Sequence, residues 1–302
     1  MKIWVPSKAA ADVLCDLPEV ECVVYDGTGP VQEGAEKVEV WIPPLMPVAD
    51  LPELLARMTG LRLLQTVTAG VDAYRPHLTE GVTLCNARGV HDAGTAEWAV
   101  GAMIAVLREF PGFAHAQRKG EWTYHHTGVL ADSTVLIVGY GSIGEALERR
   151  LDGFEVDVVR VARTARPGVH GMDELPALLP AADVVVLLVP STPATAGMVD
   201  AGFLAAMKEG AVLVNAARGS VVDTAALVAE LGSGRILAAL DVTDPEPLPE
   251  GHPLWSAPGV FITPHVAGSS PASVRRTLKL LRSQLLRYLA GEPLKNVITG
   301  SY

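Results

Sequence analysis

The chain has 302 residues, of which 49% are apolar and 19% charged, and it carries a formal net charge of −10. That length exceeds one ordinary core and predicts two domains, while the apolar share excludes a disordered polypeptide. The acidic balance excludes a broad nucleic-acid or anionic-membrane face, since both need positive charge, but it leaves room for a small anionic substrate held by local cations.

The N-terminal MKIWVPSK holds an apolar stretch too short for a signal peptide and is broken by Pro6. No apolar run reaches the length of a membrane span, so a cytoplasmic protein is expected. Short apolar runs at residues 2–5, 22–25, 38–42, 61–67 and 82–86 alternate with helical spacing at 9–17 and 51–58. Strands alternating with helices predict a parallel sheet covered on both faces. Cys15, Cys22 and Cys85 are odd in number and follow no metal or redox spacing, so buried free thiols in a reducing compartment are expected.

Residues 91–110 (HDAGTAEWAVGAMIAVLREF) read as one long helix ended by Pro111 and Gly112. It is apolar around much of its circumference, which predicts burial and suggests a homodimer. A second strand series follows at 135–138, 156–161, 184–189, 212–215, 236–240 and 260–262. These runs are continuously apolar, as central strands of a doubly wound sheet are. The last helix, 272–289, interleaves Arg275, Arg276, Lys279, Arg282 and Arg287 with leucines, a solvated face on a packing helix, and the tail 291–302 is expected to return to the first unit. The fold class expected is α/β, with two doubly wound parallel-sheet domains, Rossmann-like or flavodoxin-like. One would span residues 1–96, completed by 271–302, and the other residues 97–270.

The second domain opens on residues 134–144, TVLIVGYGSIG, a strand followed by G-x-G-x-x-G and then a helical pattern. Gly139 permits the tight turn, Gly141 lets backbone approach a pyrophosphate, and Gly144 allows close helix–strand packing. The first-turn N–H groups of the helix, from Ser142 and Ile143, then face the anion. With strands on both sides, this predicts a dinucleotide site.

Ligands of open parallel sheets lie beyond the carboxyl ends of the strands, and three expected ends carry a potent side chain. Asn215-Ala216-Ala217-Arg218-Gly219 follows one strand, Asp241-Val242-Thr243-Asp244-Pro245-Glu246-Pro247 the next, and Thr263-Pro264-His265-Val266-Ala267-Gly268 the last. Alone, Arg218 could form a surface ion pair, Glu246 be a loop acid and His265 a structural imidazole. Together they offer a cationic fork for a carboxylate and carbonyl, and a proton donor–acceptor held by a neighbouring acid.

These segments, in this order, resemble the D-isomer-specific 2-hydroxyacid dehydrogenase family over essentially the whole chain. The family's nucleotide turn matches VGYGSIG, its N-x-x-R-G segment residues 215–219, its D-V-x-x-x-E-P segment residues 241–247 and its P-H-x-A-G segment residues 264–268. Ala69-Gly70-Val71-Asp72 resembles the loop whose amides hold the substrate carboxylate. The resemblance implies catalytic Arg218, Glu246 and His265, with substrate-binding Ala69 and Gly70, in a cleft between a substrate domain and a dinucleotide-binding domain. It also implies cofactor contacts from Gly139, Gly141, Ser142, Ile143, Gly144, Pro190, Thr195, Ala216, Asp241 and Gly268.

The family alignment puts Ala162 where an NAD-binding unit carries the acid for the ribose hydroxyls, about 20 residues past the turn. Arg163, Thr164 and Arg166 follow and suit a 2′-phosphate, so NADP(H) is preferred and NAD(H) remains possible, with Thr164 then holding the ribose. Trp41-Ile42-Pro43-Pro44 resembles the W-x-P-P loop of a glyoxylate/hydroxypyruvate reductase subgroup, where Trp41 is either a pocket residue or core. Thr243 replaces a bulky apolar residue common in relatives and is expected to loosen the wall behind Glu246. His125 and His126 lack a third ligand at sensible spacing, and no catalytic metal is expected. The expected function is reduction of a small 2-oxoacid to a D-2-hydroxyacid. The alternatives are a corepressor-like dinucleotide sensor on the same fold, or a dehydrogenase of another small anion such as phosphite or formate.

Overall fold

The computed structural model describes residues 1–29, 31–46 and 48–299, so the last three residues of the expected tail lie outside the described residues. The chain divides into two compact units, Met1–His91 with Ser270–Tyr302, and Asp92–Ser269.

In the first unit, β1 (Lys2–Val5), β2 (Glu21–Val24), β3 (Val38–Trp41), β4 (Leu63–Gln65) and β5 (Thr83–Cys85) form a wholly parallel sheet of order β2-β1-β3-β4-β5. Central β1 buries Ile3, Trp4 and Val5 completely, as a strand covered on both faces must. Helices α1 (Lys8–Leu14) and α2 (Leu51–Arg57) follow β1 and β3. The chain returns from α1 into β2 so closely that Cys15 and Cys22 form a disulfide, with 5.8 Å between their Cα atoms. The expectation of three free thiols is therefore wrong: spacing alone did not reveal that a short αβ turn sets these two side by side. Cys85 is free and buried on β5, where burial pushes its thiol up to about 11. The cysteines thus no longer argue for a reducing compartment.

The second unit begins with α3 (Asp92–Leu107), so the boundary expected after residue 96 falls inside this helix. Ala96, Ala99 and Ala102 bring α3 close against the sheet, where Met103 packs with Ile137, Val214 and Ala239. The helix expected over 91–110 is present as α3, which stops at Leu107. Glu109 adopts a left-handed φ of 53°, and α4 (Phe110–Lys119) starts beyond it. Pro111 lies in the first turn of α4, where a missing N–H and fixed φ are favourable, so it starts a helix and does not end one.

Next come β6 (Thr134–Val138), α5 (Ser142–Leu151), β7 (Asp157–Val161), α6 (Leu175–Leu178), β8 (Val184–Leu187), α7 (Ala201–Ala206), β9 (Val212–Asn215), α8 (Thr224–Gly232), β10 (Leu237–Leu240) and β11 (Val260–Ile262). The sheet is parallel throughout, with order β11-β10-β9-β8-β6-β7. Its order reverses between β6 and β8, the switch point where such sheets bind ligands beyond their carboxyl ends.

Helix α9 (Pro271–Leu289) belongs to the first unit. Ser270 caps it in a reciprocal pair with Ser273, and Leu281 and Leu285 pack with Ile3, Val5 and Leu63. Arg282 donates to the Val13 carbonyl and pairs bidentately with Asp16, clasping α1. Buried Gln284 donates to Gln65 Oε1 at 2.9 Å and to the Lys295 carbonyl at 2.7 Å, which ties the tail to β4. None of the described helices is long and apolar enough to cross a membrane.

Candidate active site

At the end of β6, Gly139 has a φ of 105°, and a Cβ there would sit 2.6 Å from the Leu188 backbone, so only glycine serves. Its N–H and that of Tyr140 both donate to the Val161 carbonyl, which welds the turn to β7. A Cβ on Gly144 would meet Tyr140 Cδ2 at 3.1 Å and Ile137 Cγ2 at 3.3 Å, the expected close helix–strand contact. Gly141 differs: a Cβ there meets nothing within 4 Å. Gly141 is also the N-cap of α5 and supplies no side-chain cap, which leaves the first-turn amides of Ser142 and Ile143 beside open space. An uncapped helix start behind an open glycine fits a pyrophosphate.

After β7, Ala162 is buried and donates its N–H to His170 O at 3.0 Å, while Arg163, Thr164 and Arg166 are exposed. Arg166 and Val169 exchange backbone bonds of 3.0 and 2.8 Å around Pro167 and Gly168 (φ 76°), the residues a type II turn demands. After β8, exposed Pro190 accepts from Thr195 Oγ1 at 2.6 Å, and Thr192 N–H donates to the same hydroxyl at 2.9 Å. The Thr195 hydroxyl closes its own loop.

After β9, half-buried Ala216 leads to a turn built on Asn215, which is 1% exposed. The Asn215 amide donates to Arg218 O at 3.0 Å and accepts from Ala217 N at 3.0 Å. Arg218 Nη1 donates to Ala217 O at 2.8 Å. A Cβ on Gly219 would lie 1.9 Å from Thr243 O, so the Arg218 loop and the Glu246 loop touch backbone to backbone. Thr243 donates its hydroxyl to Pro245 O at 2.9 Å. It braces the segment leading to Glu246, contrary to the expected loosening.

The decisive geometry joins the last two strand ends. His265 Nδ1 lies 2.6 Å from Glu246 Oε1, both side chains being about half exposed (49% and 41%). His265 holds a left-handed φ of 54°, a conformation that costs a non-glycine residue energy and needs support. Asp241, the residue after β10, supplies that support, its carbonyl accepting the His265 N–H at 2.8 Å. Its carboxylate accepts from Thr263 Oγ1 at 2.6 Å, Val266 N at 2.9 Å and Ala267 N at 2.8 Å. Only 3% exposed, Asp241 is a brace for the His265 loop. Gly268 ends this loop half-buried. The bracing role of Asp241 was not anticipated, although an acid at one strand end facing a threonine at the next was a readable hint.

In the first unit, the loop after β4 is shaped by its carbonyls. Thr68 O accepts from Thr66 Oγ1 and Ala87 N, each at 2.8 Å, and Ala69 O from Asn86 Nδ2 at 2.7 Å. In a trans peptide the N–H points opposite to the C=O, so the amides of Ala69 and Gly70 point away from these partners. Trp41 is fully buried, edge-on to Tyr74 at 5.9 Å, within the core of Leu54, Val71 and Leu84. Of the two readings open from sequence, the structure makes it core and removes it from the substrate-binding set. His125 bonds Glu109 at 3.0 Å and stacks on Phe113, whereas His126 meets Tyr124.

A doubly wound unit with this cradle and these strand ends defines a nucleotide-binding oxidoreductase. Residues 100–267 match the NAD-binding domain of the D-isomer specific 2-hydroxyacid dehydrogenases, and the chain belongs to that family. The human glyoxylate reductase/hydroxypyruvate reductase is 36% identical over 250 residues, 78% of this chain and 76% of that protein. A D-isomer specific 2-hydroxyacid dehydrogenase from Xanthobacter autotrophicus Py2, solved with NADPH and MES, superposes with a TM-score of 0.84 at 31% identity, covering 99% of this chain and 98% of that one. An NADPH-dependent glyoxylate/hydroxypyruvate reductase from Sinorhizobium meliloti, solved with NADP and malonate, gives 0.85 at 29% identity, covering 99% and 96%.

Proposed function

We propose that this dehydrogenase reduces a small 2-oxoacid of the glyoxylate or hydroxypyruvate kind to the D-2-hydroxyacid, with NADP(H) preferred over NAD(H). The observation that carries the reading is the 2.6 Å His265–Glu246 contact on the carboxyl edge of the nucleotide-binding sheet. The Glu246 carboxylate accepts from Nδ1 and so fixes the ring's orientation and tautomer, which leaves Nε2 as the atom that gives a proton to the substrate oxygen and takes it back in reverse. Arg218 binds the substrate carboxylate and stabilises the negative charge that develops on the ketone oxygen. In the first unit, the Ala69 and Gly70 amides serve the carboxylate. A bound nicotinamide supplies the hydride, which is the cofactor's own chemistry. The glycine cradle and first-turn amides of α5 hold its pyrophosphate, and Arg163, Thr164 and Arg166 meet the 2′-phosphate where no carboxylate ends β7.

The cofactor reading is tested by kcat/KM for NADPH and NADH on a panel of 2-oxoacids. The expected result is higher kcat/KM with NADPH, reduced in Arg163→Ala. A preference for NADH that Arg163→Ala leaves unaltered would contradict it. The protein is further proposed to act as a homodimer, with a second copy covering the apolar residues after α4, where Trp122 is 96% and Tyr124 81% exposed.

A further inference from the structure

The nucleotide turn carries one large side chain that the proposed chemistry does not use. Tyr140 stands between Gly139 and Gly141, and two guanidinium groups approach its ring, Arg160 at 5.8 Å and Arg166 at 5.7 Å from the centroid. Their circumstances differ. Arg160, on β7, is neutralised by Glu148 of α5: its Nε lies 2.9 Å from both carboxylate oxygens, and Nη2 bonds the carboxylate as well. The Tyr140 hydroxyl donates to the same carboxylate, so Glu148 anchors the phenol and Arg160 together.

Arg166 is exposed, and no carboxylate pairs with it among the described residues. Its Nη2 donates to the carbonyl of Tyr140 itself at 2.8 Å. The backbone beneath it is closed by the reciprocal bonds to Val169. Turn, ring and carbonyl thus hold an unneutralised cation against the glycine turn. A free arginine would lose rotamer entropy on meeting a phosphate, and one already held in place loses less.

We propose that Tyr140 is a specificity-determining positioning residue, whose ring and carbonyl hold Arg166 beside the glycine turn so that it selects a dinucleotide bearing a 2′-phosphate. The proposal rests on the NADP preference argued above and names the residue that aims the cation. Because cation–π contacts at exposed sites are weak, the effect is modest, roughly threefold to fivefold in affinity.

The test is calorimetric titration of the protein with NADPH and with NADH, without oxoacid, for wild type, Tyr140→Leu, Tyr140→Phe, Arg166→Ala and the Tyr140→Leu/Arg166→Ala double variant. Tyr140→Leu is expected to weaken NADPH roughly threefold to fivefold and leave NADH unchanged. Tyr140→Phe, which keeps the ring, should retain most of the selectivity, and the double variant should match Arg166→Ala alone. If wild type prefers NADPH and Tyr140→Leu weakens both cofactors equally or neither, the Tyr140 assignment falls and the cofactor reading stands. If wild type binds both cofactors equally, both fall. Should Tyr140→Leu not fold, an Arg166→Ala protein with unaltered selectivity overturns the proposal by itself.

Discussion

His265 is held in a backbone conformation it would not choose, and the groups that hold it lie on Asp241, just past the end of β10, and on its own loop. Three donors converge on the Asp241 carboxylate, and the Asp241 carbonyl takes the His265 N–H. Removing that carboxylate strands two backbone N–H groups and a hydroxyl, and a misplacement of about 1 Å in a catalytic group can cost on the order of 100-fold. Asp241→Ala is therefore expected to lower kcat about 100-fold while Kd for NADPH, measured by titration, stays close to wild type. A protein that keeps its kcat and loses cofactor affinity would make Asp241 a ligand contact after all. This role was hidden in the sequence because an acid at a strand end reads the same whether it faces a ligand or its neighbouring loop. Trp41 was ambiguous for a similar reason: a bulky apolar residue at a strand end reads the same whether it packs in the core or lines a pocket, and only the packing with Leu54 and Tyr74 decides it.

At the scale of elements, the strands were legible because both faces of each sheet are covered and the apolar runs are continuous. The end of α3 was legible from Pro111 and Gly112, but the second helix α4 was not, since Pro111 reads equally as a stop and as a first-turn residue. Nor could spacing show that α9 reaches back to β4 through Gln284 and Gln65, a contact between residues far apart in the chain. The junction of the β9 and β10 loops is the most constrained of these contacts. Since a Cβ on Gly219 would overlap Thr243 O, Gly219→Ala must push the Arg218 and Glu246 loops apart. Thermal unfolding should report a loss of about 1–3 kcal/mol, with activity falling further than stability. Wild-type stability and kcat in this variant would contradict the backbone contact. Glu148 adds a pH dependence. Hydrogen bonding from Arg160 holds its carboxyl below the usual carboxylate range, so the stability it contributes is present above the unfolded-state value and fades as pH falls into the acid range.

For the whole molecule, the first unit is built from both ends of the chain and the second from its middle. Family membership was legible because four motifs stand in fixed order at strand ends, where a parallel sheet exposes its chemistry. The assembly state was not, since the apolarity of α3 is spent on its own sheet. Sedimentation velocity is expected to show a dimer that Trp122→Ala and Tyr124→Ala together weaken, and a wild-type monomer at micromolar concentration would contradict it. The central claim is that His265, aimed by Glu246, moves the proton in reduction of a 2-oxoacid. Its most direct test is kcat for glyoxylate and hydroxypyruvate reduction with NADPH, in wild type and His265→Ala. Turnover is expected in wild type, with a loss of roughly 100-fold to 10,000-fold in the variant and NADPH binding retained. Turnover that survives the substitution, or a wild type that binds NADPH tightly and reduces no oxoacid, would contradict it.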